Sequence, residues 1–311
     1  MTGLRTAIAD YLELRRALGF KLKKDEKLLA DFAVFMERRH ATHITAKLAA
    51  KWAQQPASTD PNYHAGRLRA VRSFARYRIL TDPRTEIPQT DLLPRQRSAF
   101  QPHIFTGDEI GRILAASLRS RGCATRFFCI CHYTIYGLLS VTGMRVSEAL
   151  NLDVDDVDLV SGVITIRNTK FGKSRFVPVH ETTRAALESY RAHRDAHLAG
   201  REVDAFFISV PGRRIIPSVL DGAFRKLTRR LGMRDATGPI GPRLHDLRHT
   251  MAIEVLRRCY SAGADPERRL PALSTYLGHT HLNYTYWYLH QNPGLMTEAM
   301  ARLQHRWEAS A

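Results

Sequence analysis

The chain has 311 residues, and 47 Lys and Arg against 30 Asp and Glu give it a formal net charge of +17. That length accommodates two domains with separate cores, and positive charge spread along the whole chain concentrates polyanions, nucleic acid above all. No run reaches the roughly 20 apolar residues of a spanning helix, Asp10 and Glu13 interrupt any N-terminal signal core, and the four cysteines form no C-x-x-C pair, which argues against membrane, secreted and zinc-ribbon classes and for a cytoplasmic protein.

Four helices are expected first. One carries Ile8, Leu12 and Leu14 before Gly19, and the next places Leu28, Leu29, Phe32, Phe35 and Met36 on one face. A third runs from about Ile44 to Gln54, before Pro56. The fourth, Tyr63 to Leu80, turns Leu68, Val71, Phe74 and Ala75 toward a core, while Arg67, Arg69, Arg72, Arg76 and Arg78 crowd the remaining surface. Guanidinium forks suit phosphate oxygens, so this face is a candidate DNA-backbone surface.

Pro83, Pro88, Pro94 and Pro102, with little apolar periodicity around them, mark residues 83–105 as a linker. Domains are therefore expected over 1–82 and 106–311. Thr106-Gly107-Asp108-Glu109 is a capping box that opens the second domain. An apolar stretch from Phe127 to Val141 reads as a buried helix stopped at Thr142-Gly143, so that Arg145 starts the next element. Cys123, Cys129, Cys131 and Cys259 read as buried free thiols.

Beyond Leu152 the period changes to that of strands, Val163 to Arg167 and Arg175 to Val179, joined by a turn with Lys170 and Lys173. Asp153, Asp155, Asp156 and Asp158 fail the calcium-loop spacing and read as a solvated turn. Ser218 is expected to cap a helix carrying Phe224, Leu227 and Leu231, with Arg213, Arg214, Arg225, Lys226, Arg229, Arg230 and Arg234 on its outer face and flanks as a second phosphate-contacting surface. A helix from Leu244 to Cys259 puts His245 and Arg248 on one face. His245 and His249 have H-x-x-x-H spacing, but the position after His245 is Asp246 rather than the glutamate of zinc proteases, so no metal is expected. Gly278-His279 is followed nine residues after the histidine by Tyr288, and Leu295, Met296, Met300 and Leu303 form an amphipathic tail.

The ordered set Thr142-Gly143-Met144-Arg145, Lys170, His245-Asp246-Leu247-Arg248, Gly278-His279 and Tyr288 resembles the tyrosine recombinase (phage integrase) family. The resemblance implies a mainly α fold with a small antiparallel β-sheet: an N-terminal helical, SAM-like core-binding domain and an α+β catalytic domain. It implies a metal- and ATP-independent, cofactor-free enzyme that cuts and rejoins DNA through a covalent 3'-phosphotyrosine, in service of a mobile element. By the same comparison Tyr288 attacks and Arg145 and Arg248 stabilise the phosphoryl oxygens. Lys170, with Lys173 as the alternative, protonates the departing 5' oxygen, His245 assists proton transfer and His279 hydrogen-bonds the phosphate. The implied partners are double-stranded DNA, further protomers in a tetramer on paired sites, and accessory recombinases or DNA-bending proteins at the bacterial nucleoid. The tail is expected to dock on a neighbouring protomer. The chain departs from the family where Asn283-Tyr284-Thr285 replaces a threonine pair, and Tyr284 and Tyr286 are further hydroxyls near Tyr288. A relaxing enzyme of the type IB topoisomerase kind and a non-catalytic DNA-binding protein remain alternatives.

Overall fold

Apolar residues at helical spacing fold the N-terminal stretch into α1 (Thr2–Ala17), α2 (Lys23–Arg38), α3 (Ala46–Ala53) and α4 (Pro61–Arg78). The computed structural model describes residues 2–57, 60–94, 101–119, 125–167, 174–235, 241–262 and 266–290, with positions 297, 300, 304, 307 and 308. The chain divides into two units, Met1–Phe100 and Gln101–Ala311. In the first, Leu29, Phe32, Met36, Trp52, Leu68, Val71 and Phe74 form the core. Thr45 caps α3 by accepting a hydrogen bond from the Leu48 N–H, and Asp60 caps α4 at the Asn62 N–H. Leu14, expected inside, is exposed.

Much of the expected linker belongs to this bundle. Glu86 N–H donates to the Ile44 carbonyl, its carboxylate accepts from Ala46 N–H, and Leu93 is buried in the core. The proline-rich composition concealed these contacts because they join residues some 40 positions apart.

The second unit begins with α5 (Gly107–Leu118), whose Thr106–Glu109 capping box is formed at both hydrogen bonds. Next come α6 (Arg126–Thr142) and α7 (Val146–Leu150). The antiparallel sheet β1 (Val157–Asp158), β2 (Val163–Ile166) and β3 (Arg175–Pro178) has the strand order β1-β2-β3. After it run α8 (Glu181–Leu198), α9 (Pro217–Arg230), α10 (Leu244–Ser261), α11 (Pro266–Leu277) and α12 (Asn283–His290). Ile135, Leu139, Tyr190, Phe206, Phe207 and Phe224 centre the main core. A smaller core gathers Ala252, Leu256, Leu270, Leu273, Leu277 and Tyr288 from α10, α11 and α12. Among the described residues no helix is long and apolar enough to cross a membrane.

Two local expectations are corrected. The aspartates before β1 are not a solvated turn throughout: Asp156 is buried, caps the turn at the Asp153 N–H and pairs with Arg167 at 2.5 Å. Nor does Ser218 cap α9. Pro217 occupies the first turn, where its missing N–H costs nothing and its fixed φ suits the helix.

Candidate active site

The site is built at the C-terminal end of α11. A helix end leaves its last carbonyls without intrahelical donors and carries partial negative charge, and here three guanidiniums supply the donors. Arg175 Nε donates to the Tyr276 carbonyl at 2.8 Å, Arg248 Nη2 to Leu277 at 2.8 Å and Arg145 Nη2 to Gly278 at 3.1 Å. Three consecutive carbonyls thus hold arginines from β3, α10 and the start of α7. Gly278 has φ +67°, and a Cβ there would lie 2.8 Å from Nη1 of Arg175. Glycine is required both by the backbone angle and by the packed guanidinium.

Arg145 precedes α7 because Gly143, at φ +60°, stops α6 in the left-handed region. The Gly143 carbonyl accepts the second Arg248 hydrogen bond at 2.7 Å. Arg248 is 2% exposed and, among the described residues, has no carboxylate within ion-pair distance. Burial lowers its pKa to about 10, with Tyr288 pulling it back, so it stays a cation at neutral pH. Arg145 instead pairs with Glu148 at 2.6 Å and keeps a third of its side chain exposed. Burial raises the Glu148 carboxyl, but hydrogen bonds from Arg175 and Arg145 outweigh it and bring it down to about 2.

Tyr288 comes from α12 and is 2% exposed. Its ring lies 5.5 Å from that of His249 and 6.1 Å from that of His279, the latter stacked at 23°. Burial raises the phenol pKa, opposed by Arg248, which also hydrogen-bonds it, and by Arg145. His279 Nδ1 lies 2.8 Å from the hydroxyl of Thr285, which is fully buried. That contact fixes the ring and leaves Nε2 with no partner among the described residues. Burial, then Arg248 and Arg145, lower His279 to about 4, so its ring is neutral near pH 7. The His245 and His249 rings meet edge to face at 4.8 Å. Crowding by protein and then Arg248 lower His245, while burial and then His245 bring His249 to about 4.

Arg145, Arg248, His279 and Tyr288 therefore surround one helix end, and His245 joins through His249. Lys170 and Lys173 lie outside the described residues, as does most of the tail. Tyr284 is exposed and Tyr286 packs in the small core beside Tyr288. Sequence reasoning missed Arg175 as a member of this cluster and Thr285 as the partner of His279. The Arg175-Phe-Val-Pro alternation gave a signal for the first, since it turns a cation to the same face as buried Val177.

The arginines named for DNA contact divide. Arg69, Arg76, Arg213 and Arg229 are exposed, and Arg225 is exposed but paired with Asp221 at 2.7 Å. Arg67 is a correction: it is buried, bonded to Asp31 at 2.9 Å and lies 3.9 Å over the Trp52 ring. Arg72 is another, with its guanidinium donating to the carbonyls of Pro88 and Gln89. Arg214 likewise donates to the carbonyls of Leu150 and Leu152 and pairs with Asp153. Carbonyl and carboxylate partners distant in sequence claim all three side chains.

The Phage integrase family profile matches residues 103–294. A Sinorhizobium fredii protein named as an integrase/recombinase, y4rB, is 47% identical over 99% of both chains. Tyrosine recombinase XerC of Roseiflexus sp. is 29% identical over 91% of this chain and 79% of its own length. Among solved structures, the Tn1549 transposon integrase in complex with transposon right end DNA superposes with a TM-score of 0.67 at 19% identity, covering 96% of this chain and 98% of that one. The XerH site-specific recombinase bound to a difH substrate gives 0.60 at 18% identity, over 90% and 78%.

Proposed function

The chain belongs to the phage integrase family of tyrosine recombinases, and from that premise we propose that it is a site-specific recombinase of a mobile element that carries both cutting and joining on Tyr288. The observation that carries this reading is the convergence of Arg145 and Arg248 on one helix end beside a tyrosine flanked by His249 and His279.

Tyr288 Oη attacks the scissile phosphorus, the bond from phosphorus to the 5' oxygen breaks, and the strand is held as a 3'-phosphotyrosine. A 5' hydroxyl of another strand then attacks that ester and releases the tyrosine, so the bond energy is kept. Arg145 and Arg248 donate to the non-bridging oxygens as negative charge gathers there. His279 donates a hydrogen bond to the same phosphate from Nε2, and His245 assists proton transfer. Lys170 supplies the proton to the departing 5' oxygen, with Lys173 as the alternative. Exposed Arg69, Arg76, Arg213 and Arg229 grip backbone phosphates and contribute affinity without reading sequence. Two duplexes, each with two protomers, make the working unit a tetramer on DNA, with the tail of one protomer docked on the next.

The test is a supercoiled plasmid carrying the genomic DNA that flanks the gene. Wild-type protein is expected to form a covalent 3'-phosphotyrosyl adduct and joined recombinant strands, and Tyr288→Phe neither. An adduct in Tyr288→Phe would remove Tyr288 from its role, and relaxation without strand exchange would favour a topoisomerase-like enzyme.

A further inference from the structure

One partly buried cation of the site has no part in the reaction as just described. Arg175 opens β3 opposite Ile166, on the same sheet face as buried Ile164 and Val177, and its side chain is 12% exposed. Its Nη1 and Nη2 reach the two carboxylate oxygens of Glu148 at 3.1 and 2.8 Å. The same carboxylate accepts from the Arg145 guanidinium at 2.6 Å and from the Arg145 backbone N–H at 2.8 Å. One anion is therefore shared by two guanidiniums, and both are also tied to carbonyls at the end of α11, Arg175 to Tyr276 and Arg145 to Gly278 just past it.

The charge arithmetic gives this sharing a consequence. Arg145 and Glu148 alone sum to zero, so an incoming phosphate would have to compete with a carboxylate at 2.6 Å for the Arg145 donors. With Arg175 also on Glu148, the three groups keep one net positive charge, and Arg145 retains donors for a second anion. Sharing also fixes Glu148 from both sides, which sets the direction of Arg145. The loop at Gly278 is shaped to the Arg175 guanidinium, since no side chain fits between them.

We propose that Arg175 is a positioning residue for strand cleavage, dividing the Glu148 carboxylate with Arg145 so that Arg145 stays aimed at the scissile phosphate with donors to spare for it. This rests on the recombinase reading above. A purely architectural staple between β3 and α11 is the competing role.

A mutant cycle in the full-length protein separates the two. Single-turnover adduct formation on a nicked substrate, at saturating enzyme, is compared for wild type, Arg175→Gln, Arg175→Lys, Glu148→Gln and the Arg175→Gln/Glu148→Gln double variant, alongside DNA affinity and Tm. Misaiming a reacting group by about an ångström costs roughly a hundredfold, and that loss is expected for Arg175→Gln with DNA affinity near wild type. Arg175→Lys, which keeps charge but not the fork, is expected to lose about tenfold. The double variant is expected to regain about tenfold over Arg175→Gln, because no undivided carboxylate then competes for Arg145. An architectural staple predicts the reverse, a double variant slower than either single one, and that result overturns the proposal. So does a wild-type rate in Arg175→Gln or, should that protein not fold, in Arg175→Lys. Wild-type protein that forms no adduct overturns the recombinase reading and this inference together, whereas an adduct unaffected at Arg175 overturns only the inference.

Discussion

Arg67 in the N-terminal unit and Arg248 in the C-terminal unit are both buried, and the two are held in different ways. Arg67 of the N-terminal bundle is neutralised by Asp31 and covered by the Trp52 ring. Arg248 of the C-terminal unit is buried more completely, yet its partners are the carbonyls of Gly143 and Leu277, which orient a guanidinium without cancelling its charge. A cation matched by an anion serves the fold. One held only by dipoles keeps an unmet demand for negative charge, which under the proposed function a phosphoryl group meets.

The strongest way to break this contrast is to truncate both. Arg248→Ala is expected to lower the single-turnover cleavage rate about a hundred- to a thousandfold, or roughly 3–4 kcal/mol of barrier. Arg67→Ala is expected to cost about 1–3 kcal/mol of stability through the lost stacking and the half-exposed ion pair, while cleavage at saturating DNA stays near wild type. Denaturant melts and burst kinetics on both proteins check this, and interchanged outcomes would dissolve the distinction.

A threonine pair sharpens it at smaller scale. Thr285→Val removes the hydroxyl that holds His279 and is expected to slow cleavage about tenfold. Thr45→Val removes an N-cap and is expected to cost about 1 kcal/mol of stability with no change in rate.

The last effect is in pH. His249 and His279 titrate near 4 in the folded protein, below the ordinary 6.5. The unfolded chain therefore binds their protons first as pH falls, so stability is full above about 6.5 and declines toward 4. Hydrogen exchange, corrected for intrinsic rate, is expected to show protection falling in α10 to α12 between pH 6.5 and 5 while α1 to α4 hold. Equal loss in both units would remove the histidines as the cause.

Local pattern made much of the fold legible. Helical periodicity gave the inward residues of α2 and α4, the Thr106–Glu109 box opened α5, and Gly143 ended α6. What sequence left hidden was which polar groups meet across long separations. Arg67 and Asp31 are 36 residues apart, Arg145 and Gly278 133, and Phe105 N–H and Thr250 Oγ1 145. Arg67 and Arg69 look alike in a helical arginine run, and only the tertiary partner of one separates them. For the site, motif order named Arg145, Arg248, His279 and Tyr288, but the Arg175–Glu148 link lacks any local spacing, because it joins a strand to a helix that the chain reaches by separate routes.

The end of α11 also ties three elements to one short stretch of backbone. The carbonyls of Tyr276 and Leu277 and that of Gly278 just beyond the helix each hold a cation from a different element, so a shift of that helix by a single turn would break all three bonds together. Each arginine keeps a second anchor, Gly143 for Arg248 and Glu148 for Arg145 and Arg175, so the helix end sets their common direction rather than their presence. One short stretch of backbone thereby gives three elements a shared reference for the direction of their cations.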